Sequence, residues 1–143
     1  MRTIVEYLVK EYRGENNEKE KSVLEEYGLK YQEVVANTLS KAEEVEVRQI
    51  GKYRVGVVKI EKELSVDITR LCMEVYDRGV DIVVIQGYNR ITGEPSNIVA
   101  TKLKINLVDI FLLKSGAPFR VTLTGPHEEK LSEILSILEN KLQ

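Results

Sequence analysis

The sequence predicts an α/β domain in which a mixed β-sheet is flanked by helices and preceded by an N-terminal helical arm. From residue 45 onward, β-prone runs alternate with segments of helical periodicity, which is the pattern of a sheet covered by helices. Before residue 45, apolar residues recur only at helical spacing. The length of 143 residues suits one ordinary domain. We therefore predict an arm or connector over residues 1–44 and an α/β domain over residues 45–143.

The arm is predicted to consist of helices separated by turns. Ile4, Leu8 and Tyr12 recur at helical spacing, and Gly14 interrupts the pattern. A glutamate- and lysine-rich run restarts a helix at Glu18, which is predicted to end at Gly28 before a further helix begins. A segment with so few apolar residues cannot fold alone. We therefore expect the arm to pack either on residues 45–143 or on a partner protein.

The first half of the α/β domain is predicted to be a β-hairpin followed by a helix. Gly51-Lys52 supplies a tight turn between an alternating run that starts at Val45 and the β-prone run from Tyr53 to Ile60. Ser65 is placed to cap the helix, and Gly79 is placed to end it. The buried stripe of this helix is predicted to be Ile68, Leu71, Cys72, Val75 and Tyr76, which makes Cys72 a small core residue rather than a nucleophile.

The second half of the domain begins with Val80–Ile85, a nearly continuous apolar run that predicts a central strand covered on both faces. A turn-rich segment follows Gly87. Four more elements are then predicted: a strand from Asn97 to Lys104, a short helix over 107–113 capped by Asn106, a strand from Phe119 to Leu123, and a final helix opened by Pro126.

Residues that could hold a metal or carry hydrolytic chemistry are scarce. The chain has one histidine, His127, one cysteine, Cys72, and four aspartates scattered over separate elements. Zinc sites and two-metal sites need clustered ligands, and a nucleophilic triad needs a histidine held beside its partners. The sequence therefore predicts no metal, no cofactor and no enzymatic activity, and it predicts that His127 is a solvated first-turn helix residue.

The charge and hydropathy of the sequence limit the location and the kinds of partner that we expect for this protein. No apolar run is long enough to span a membrane, and charge appears too early for a signal peptide, so a cytoplasmic protein is expected. The net charge is −2, but residues 88–125 contain five basic and two acidic side chains. Only this stretch suits an anionic partner.

The order of elements from residue 45 to 143 resembles the DHH-associated domain, which lies at the carboxyl side of RecJ-type nucleases and related phosphoesterases. The elements that carry the resemblance are the strand, helix and strand up to Ile85, the strand beginning with Pro95-Ser96-Asn97, the short helix, the loop Lys114-Ser115-Gly116 and the final helix. The preceding helices resemble the connector that joins the catalytic DHH domain to this domain.

The resemblance implies a vestigial phosphate-binding groove. Ser96, with Asn97 beside it, matches a substrate-contacting serine, while the arginine that follows in the family is absent and Lys102 and Lys104 are the cations nearest to its place. The loop Lys114-Ser115-Gly116 stands where the family has a glycine-glycine-histidine loop, and Pro118 removes one backbone donor there. Arg90 and Arg120 complete the predicted nucleic-acid or phosphate-binding set.

The catalytic DHH domain is absent from the sequence. The chain therefore resembles the stand-alone, RecJ-like branch of the family in archaea, which is a reduced relative of the inactive RecJ-like subunit of the eukaryotic replicative helicase. This resemblance implies a nucleoid-associated, non-catalytic replication protein that binds the GINS complex and, through it, supports the MCM helicase at the replication fork. An edge strand or the N-terminal helices would then supply most of the binding.

Two alternatives stay open. In the first, the chain is a single-stranded nucleic-acid-binding module that stacks bases on Tyr88 or Phe119. Its other contacts would come from Arg90, Ser96, Lys102, Lys104, Lys114 and Arg120. In the second, the chain is the substrate-binding half of a DHH phosphoesterase whose catalytic domain is elsewhere, or a fragment of a longer RecJ-like protein.

Overall fold

The computed structural model describes residues 18–142, and the side chains of residues 28–142. The chain divides into two compact units, residues 1–36 and 37–143. The boundary predicted between residues 44 and 45 stays a prediction, and the helix predicted around Ile4 to Tyr12 lies outside the described residues.

Helix α1 (Glu18–Glu43) is one continuous helix of 26 residues. The break predicted at Gly28 is therefore wrong. A glycine inside a helix costs about 1 kcal/mol relative to alanine, which lowers helix stability but does not end the helix where no left-handed turn follows. The last residues of α1 belong to the second unit, in which Ala42 is fully buried.

The second unit contains a five-stranded mixed sheet, which confirms the predicted fold class. Its strands lie in the order in which they occur in the chain. Strands β2 and β3 are parallel and every other neighbouring pair is antiparallel. The strands are β1 (Glu46–Ile50), β2 (Tyr53–Lys59), β3 (Ile82–Tyr88), β4 (Pro95–Thr101) and β5 (Arg120–Thr124).

Three helices follow the hairpin of β1 and β2: α2 (Ile68–Asp77), α3 (Leu107–Ile110) and α4 (His127–Leu142). The predicted cap of α2 was wrong, because the carboxylate of Asp67 accepts the Arg70 N–H at 3.1 Å, and Ser65 lies outside the cap. An aspartate at the position directly before the helix satisfies an otherwise unpaired donor. Asn106 caps α3 as predicted.

The sheet has a core on each face, because alternate residues of each strand point to opposite sides. On one face, the buried stripe of α2 packs with Ala42, Val58 and Val83. On the other face, α3 and α4 pack on Val55, Val84 and their neighbours. The central strands β2 and β3 are buried on both faces, as predicted for the apolar run before Gly87.

Strand β4 ends earlier than predicted. Thr101 turns the chain, since its hydroxyl donates to the Asp81 carbonyl at 3.1 Å and accepts the Leu103 N–H at 3.0 Å. Lys102 and Lys104 therefore lie in the loop after the strand, and the prediction that the strand continues to Lys104 was wrong.

Candidate functional site

The predicted binding residues lie at opposite ends of β4. Arg90 is in the turn between β3 and β4, and Ser96 and Asn97 begin β4. At about 3.3 Å per residue, Thr101 lies roughly 16 Å further along the strand, and the predicted residues after it lie beyond that point. The structure thus does not bring Ser96 together with the second group: Lys102, Lys104, Lys114, Ser115, Gly116 and Arg120.

The start of β4 is built from buried polar residues. Asn97 is fully buried, and its amide nitrogen donates to the carbonyls of Leu123 and Gly125, both at 3.1 Å. Ser96 is 9% exposed and lies opposite Gly87 of β3. These contacts hold β4, β5 and the start of α4 together, so Asn97 has a structural role here.

The second group of predicted residues lies on a loop region that closes the other end of the sheet. The Thr101 N–H donates to the Phe119 carbonyl at 3.0 Å, and the Leu107 N–H donates to the Pro118 carbonyl at 2.7 Å. These two hydrogen bonds join the chain before α3 to the chain just before β5, so both ends of the loop region that contains α3 are held together. Four cations and two apolar side chains are exposed on it and form what we call the basic loop surface: Lys102, Lys104, Lys114, Arg120, Leu112 and Phe119.

The two apolar side chains of the basic loop surface are largely exposed to solvent. Leu112 is 84% exposed and Phe119 is 62% exposed. Leu112 also has a positive φ of 55°, which a leucine adopts rarely. The exposed leucine and aromatic ring, on a loop region that also carries cations, make this region a candidate contact surface.

Arg120 joins the basic loop surface to α2. Its guanidinium donates to the Thr69 hydroxyl at 3.2 Å. Burial raises the pKa of the Tyr76 phenol, while the positive charge of Arg120 acts in the opposite direction. The guanidinium is therefore held against α2, although the residue as a whole is exposed.

The Gly116 turn has a backbone conformation that favours glycine, and its predicted role in phosphate binding stays a prediction. Gly116 has a φ of 134°, and an added Cβ would meet Val108 and Val121 at 3.5 Å, an ordinary contact. The backbone conformation therefore requires glycine here, whereas the space around it does not. Lys114 and Ser115 are exposed beside this turn.

Cys72 lies in the core that covers the α2 face of the sheet, as predicted. It is 5% exposed, and burial raises the pKa of its thiol, while Arg120 acts in the opposite direction. Because the thiolate is the reactive form, we expect alkylation at pH 8 to be at least about tenfold slower in the folded chain than in urea. Mass spectrometry of iodoacetamide-treated protein measures both rates, and equal rates would contradict the burial.

A pocket of about 310 Å³ lies at the carboxyl ends of β2 and β3, far from the basic loop surface. The pocket was not predicted from the sequence, although Gln86 stands out as the one amide in the otherwise apolar β3. The pocket combines cationic and anionic groups. One of the anionic groups, the Glu61 carboxylate, accepts a hydrogen bond from the Lys41 ammonium, which lowers the pKa of Glu61. Its lining residues are Lys59, Ile60, Glu61, Gln86, Tyr88, His127 and Glu128.

His127 is the part of this pocket that differs from prediction. It is half-buried rather than solvated, its Nε2 lies 2.7 Å from the Gly87 carbonyl, and its ring meets Tyr88 edge-on with centroids 5.1 Å apart. These contacts fix the start of α4 against the end of β3. His127 therefore positions a helix, and its sequence neighbours Gly125 and Pro126 gave no sign of this.

Gln86 and Asn97 make the interior beside the pocket polar. They are cross-strand neighbours on β3 and β4 and are 1% and 0% exposed. Gln86 donates weakly to the His127 carbonyl at 3.4 Å. Neither Gln86 Oε1 nor Asn97 Oδ1 accepts a hydrogen bond from the described residues.

Among the residues of known placement, 18–142, no group of three or more histidine, cysteine, aspartate or glutamate side chains is arranged to hold a metal ion. No helix within the same range combines the length and apolar character of a membrane span.

No protein-family model matches the chain, and no curated protein matches it in sequence. Among solved structures, the chain is similar to a putative family II inorganic pyrophosphatase of Methanococcus jannaschii. The TM-score is 0.44 and the identity is 16%, over 92% of this chain and 45% of that chain. The chain thus spans less than half the length of that protein. The similarity assigns neither a substrate nor a reaction, and the relation to RecJ-like proteins stays a prediction.

Proposed function

We propose that this chain is a non-catalytic, RecJ-like replication protein that binds the GINS complex and supports the MCM helicase at the replication fork. The observation that supports a binding role is the basic loop surface, where Leu112 and Phe119 are exposed among four cations. Exposed apolar side chains on a loop region that also carries cations are typical of surfaces that contact other proteins. The identity of the partner comes from the family resemblance of residues 45–143.

The direct test is size-exclusion chromatography of the full chain with the purified GINS complex at micromolar concentration. We expect one joint peak. A Phe119→Ala variant should bind about tenfold more weakly, because truncating an exposed aromatic anchor costs roughly 1–2 kcal/mol of binding free energy. Ile91→Ala is the matched control, since Ile91 is 95% exposed at the opposite end of β4. Separate peaks for the two wild-type components would refute the proposed partner.

The second candidate function is binding of single-stranded nucleic acid by the same surface. It is favoured by the absence of acidic residues between Asp109 and Glu128, an interval that contains Lys114 and Arg120. The exposed ring of Phe119 offers a platform on which a base would stack.

This candidate predicts a defined salt dependence. If all four cations of the surface contact phosphates, log K should fall with log salt at a slope of about −2.8, so binding should weaken roughly 50-fold between 50 and 200 mM salt. Fluorescence anisotropy of a labelled oligothymidine measures the slope. Lys114→Gln with Arg120→Gln should reduce its magnitude by about 1.4, while Lys59→Gln, in the pocket, should leave it unchanged. No binding at 50 mM salt would exclude this candidate.

The third possibility, a phosphoesterase completed by a catalytic domain elsewhere, has its own test. We expect the chain alone to show no manganese-dependent hydrolysis of an oligonucleotide. Activity of the isolated chain that is abolished by a chelator would refute the non-catalytic assignment.

A further inference from the structure

Strand β5 is an edge of the sheet, and some of its backbone N–H and C=O groups have no partner among residues 18–142. In an antiparallel pair, residues alternate between those bonded to the neighbour and those that point away from it. The Thr101 N–H donates to the Phe119 carbonyl and the Gly125 N–H to the Pro95 carbonyl, so the odd-numbered residues of β5 face β4. The N–H and C=O groups of Thr122 and Thr124 consequently point outward, where no residue of the described range 18–142 pairs with them.

The β5 edge lacks the features that usually protect an edge strand. Its sequence from Arg120 to Thr124 contains no proline, no lysine and no carboxylate, and Thr122 and Thr124 are exposed. The other edge, β1, carries Glu46 and Arg48, whose charged groups lie 4.0 Å apart. Of the two edges, only β5 therefore lacks a carboxylate, and its outward-pointing backbone groups at Thr122 and Thr124 belong to uncharged residues.

The surroundings of β5 are cationic. The Arg120 side chain begins the strand, and Lys102, Lys104 and Lys114 lie on the loop region that precedes it. From residue 110 to residue 127 the chain has no acidic side chain, although it has 23 in total. An extended segment beside β5 would thus meet the four cations of this region against one exposed carboxylate, that of Asp109 on α3, which favours carboxylates on that segment.

We propose that the β5 edge binds an extended acidic segment of a partner protein, which adds to the sheet as a sixth strand. Backbone hydrogen bonds to Thr122 and Thr124 supply the affinity, and Arg120 with the basic loop surface selects negative charge. This inference rests on the proposed function, since it specifies how a partner such as the GINS complex is bound.

The first test uses a fluorescein-labelled decapeptide of alternating glutamate and valine, because valine favours an extended strand and glutamate supplies the charge. We expect it to bind the full chain at least tenfold more tightly than the alternating lysine-valine peptide. A glutamate-valine peptide N-methylated at every backbone amide retains the charge but cannot donate, so it should bind at least tenfold more weakly than the unmethylated one. Equal binding of the methylated and unmethylated peptides would overturn the proposal.

The second test changes the edge itself. Thr122→Pro removes an N–H that points away from β4, so the sheet should be retained while peptide affinity falls at least tenfold. Thr122→Val keeps the backbone donor and should bind within about twofold of wild type. Amide resonances of Thr122 and Thr124 should shift most on peptide addition to the wild type, which requires no variant to fold. Largest shifts in β1, or equal affinity of a folded Thr122→Pro variant, would overturn the proposal.

These outcomes distinguish a failure of the edge proposal from a failure of the proposed partner. If the peptide binds as expected but the GINS complex does not, the edge proposal stands and the proposed function fails. If the GINS complex binds wild type and Thr122→Pro equally, the proposed function stands and the edge proposal fails. If sedimentation shows that the wild type is a dimer and Thr122→Pro a monomer, a second copy occupies the edge and the acidic partner is ruled out.

Discussion

An Ile134→Ala variant is expected to lose about 2–5 kcal/mol of unfolding free energy, the largest effect we predict for a single substitution. Ile134 is fully buried in the core that α3 and α4 form on one face of the sheet. Alanine removes buried apolar area and leaves a cavity that neighbours such as Leu138, also fully buried, fill only in part. The loss would be a large fraction of the total stability of a domain of this size.

Urea unfolding followed by circular dichroism measures this loss as a lower midpoint with an unchanged m-value. Ile91→Ala is the matched control, because Ile91 is 95% exposed and its truncation should change stability by no more than about 0.5 kcal/mol. If the two variants unfolded at the same urea concentration, α4 would not pack on the sheet as described.

A Gly56→Leu variant is expected to lose about 1–3 kcal/mol or more through overpacking. A Cβ added at Gly56 would lie 2.8 Å from Val45 Cγ2 and 3.1 Å from Val80 Cγ1. Gly56 is in the middle of β2, which pairs with β1 on one side and β3 on the other, so the backbone cannot move away from these side chains.

Gly87→Leu is the control for this effect, since nothing lies within 4 Å of a Cβ added there. We expect it to unfold within about 1 kcal/mol of wild type. Combining Gly56→Leu with Val45→Ala should recover part of the loss, giving a favourable coupling of at least about 0.5 kcal/mol in a double-mutant cycle. Strictly additive effects would mean that Val45 is not the neighbour that resists the larger side chain.

The sequence predicted the sheet and both cores well because periodicity reports burial. The short apolar run Val80–Ile85 indicates a strand covered on two faces, and the spacing of Leu131, Ile134 and Leu138 indicates a helix covered on one. Element ends were predicted less well. Asp67 rather than Ser65 caps α2, because either residue type can cap and only the path of the chain selects between them.

The candidate sites were harder to predict because they depend on contacts between distant residues. Lys102 and Lys104 continue an alternating pattern, but the bond from the Thr101 hydroxyl to the Asp81 carbonyl ends the strand before them. The pocket at the ends of β2 and β3 combines Lys59, Gln86 and His127 from separate elements. No local sequence pattern indicates that these residues lie together, because they come into contact only when the sheet is assembled.

Because the strands lie in the sheet in the order of the chain, each strand that leaves the ribosome finds the neighbour it pairs with already synthesised. Such sequential pairing keeps loop closure short and limits the time for which an unfinished sheet is open to wrong partners. The last strand to be added is β5. The edge that we propose for partner binding is therefore completed only after the other four strands exist, which delays capture of the nascent chain until the sheet is complete.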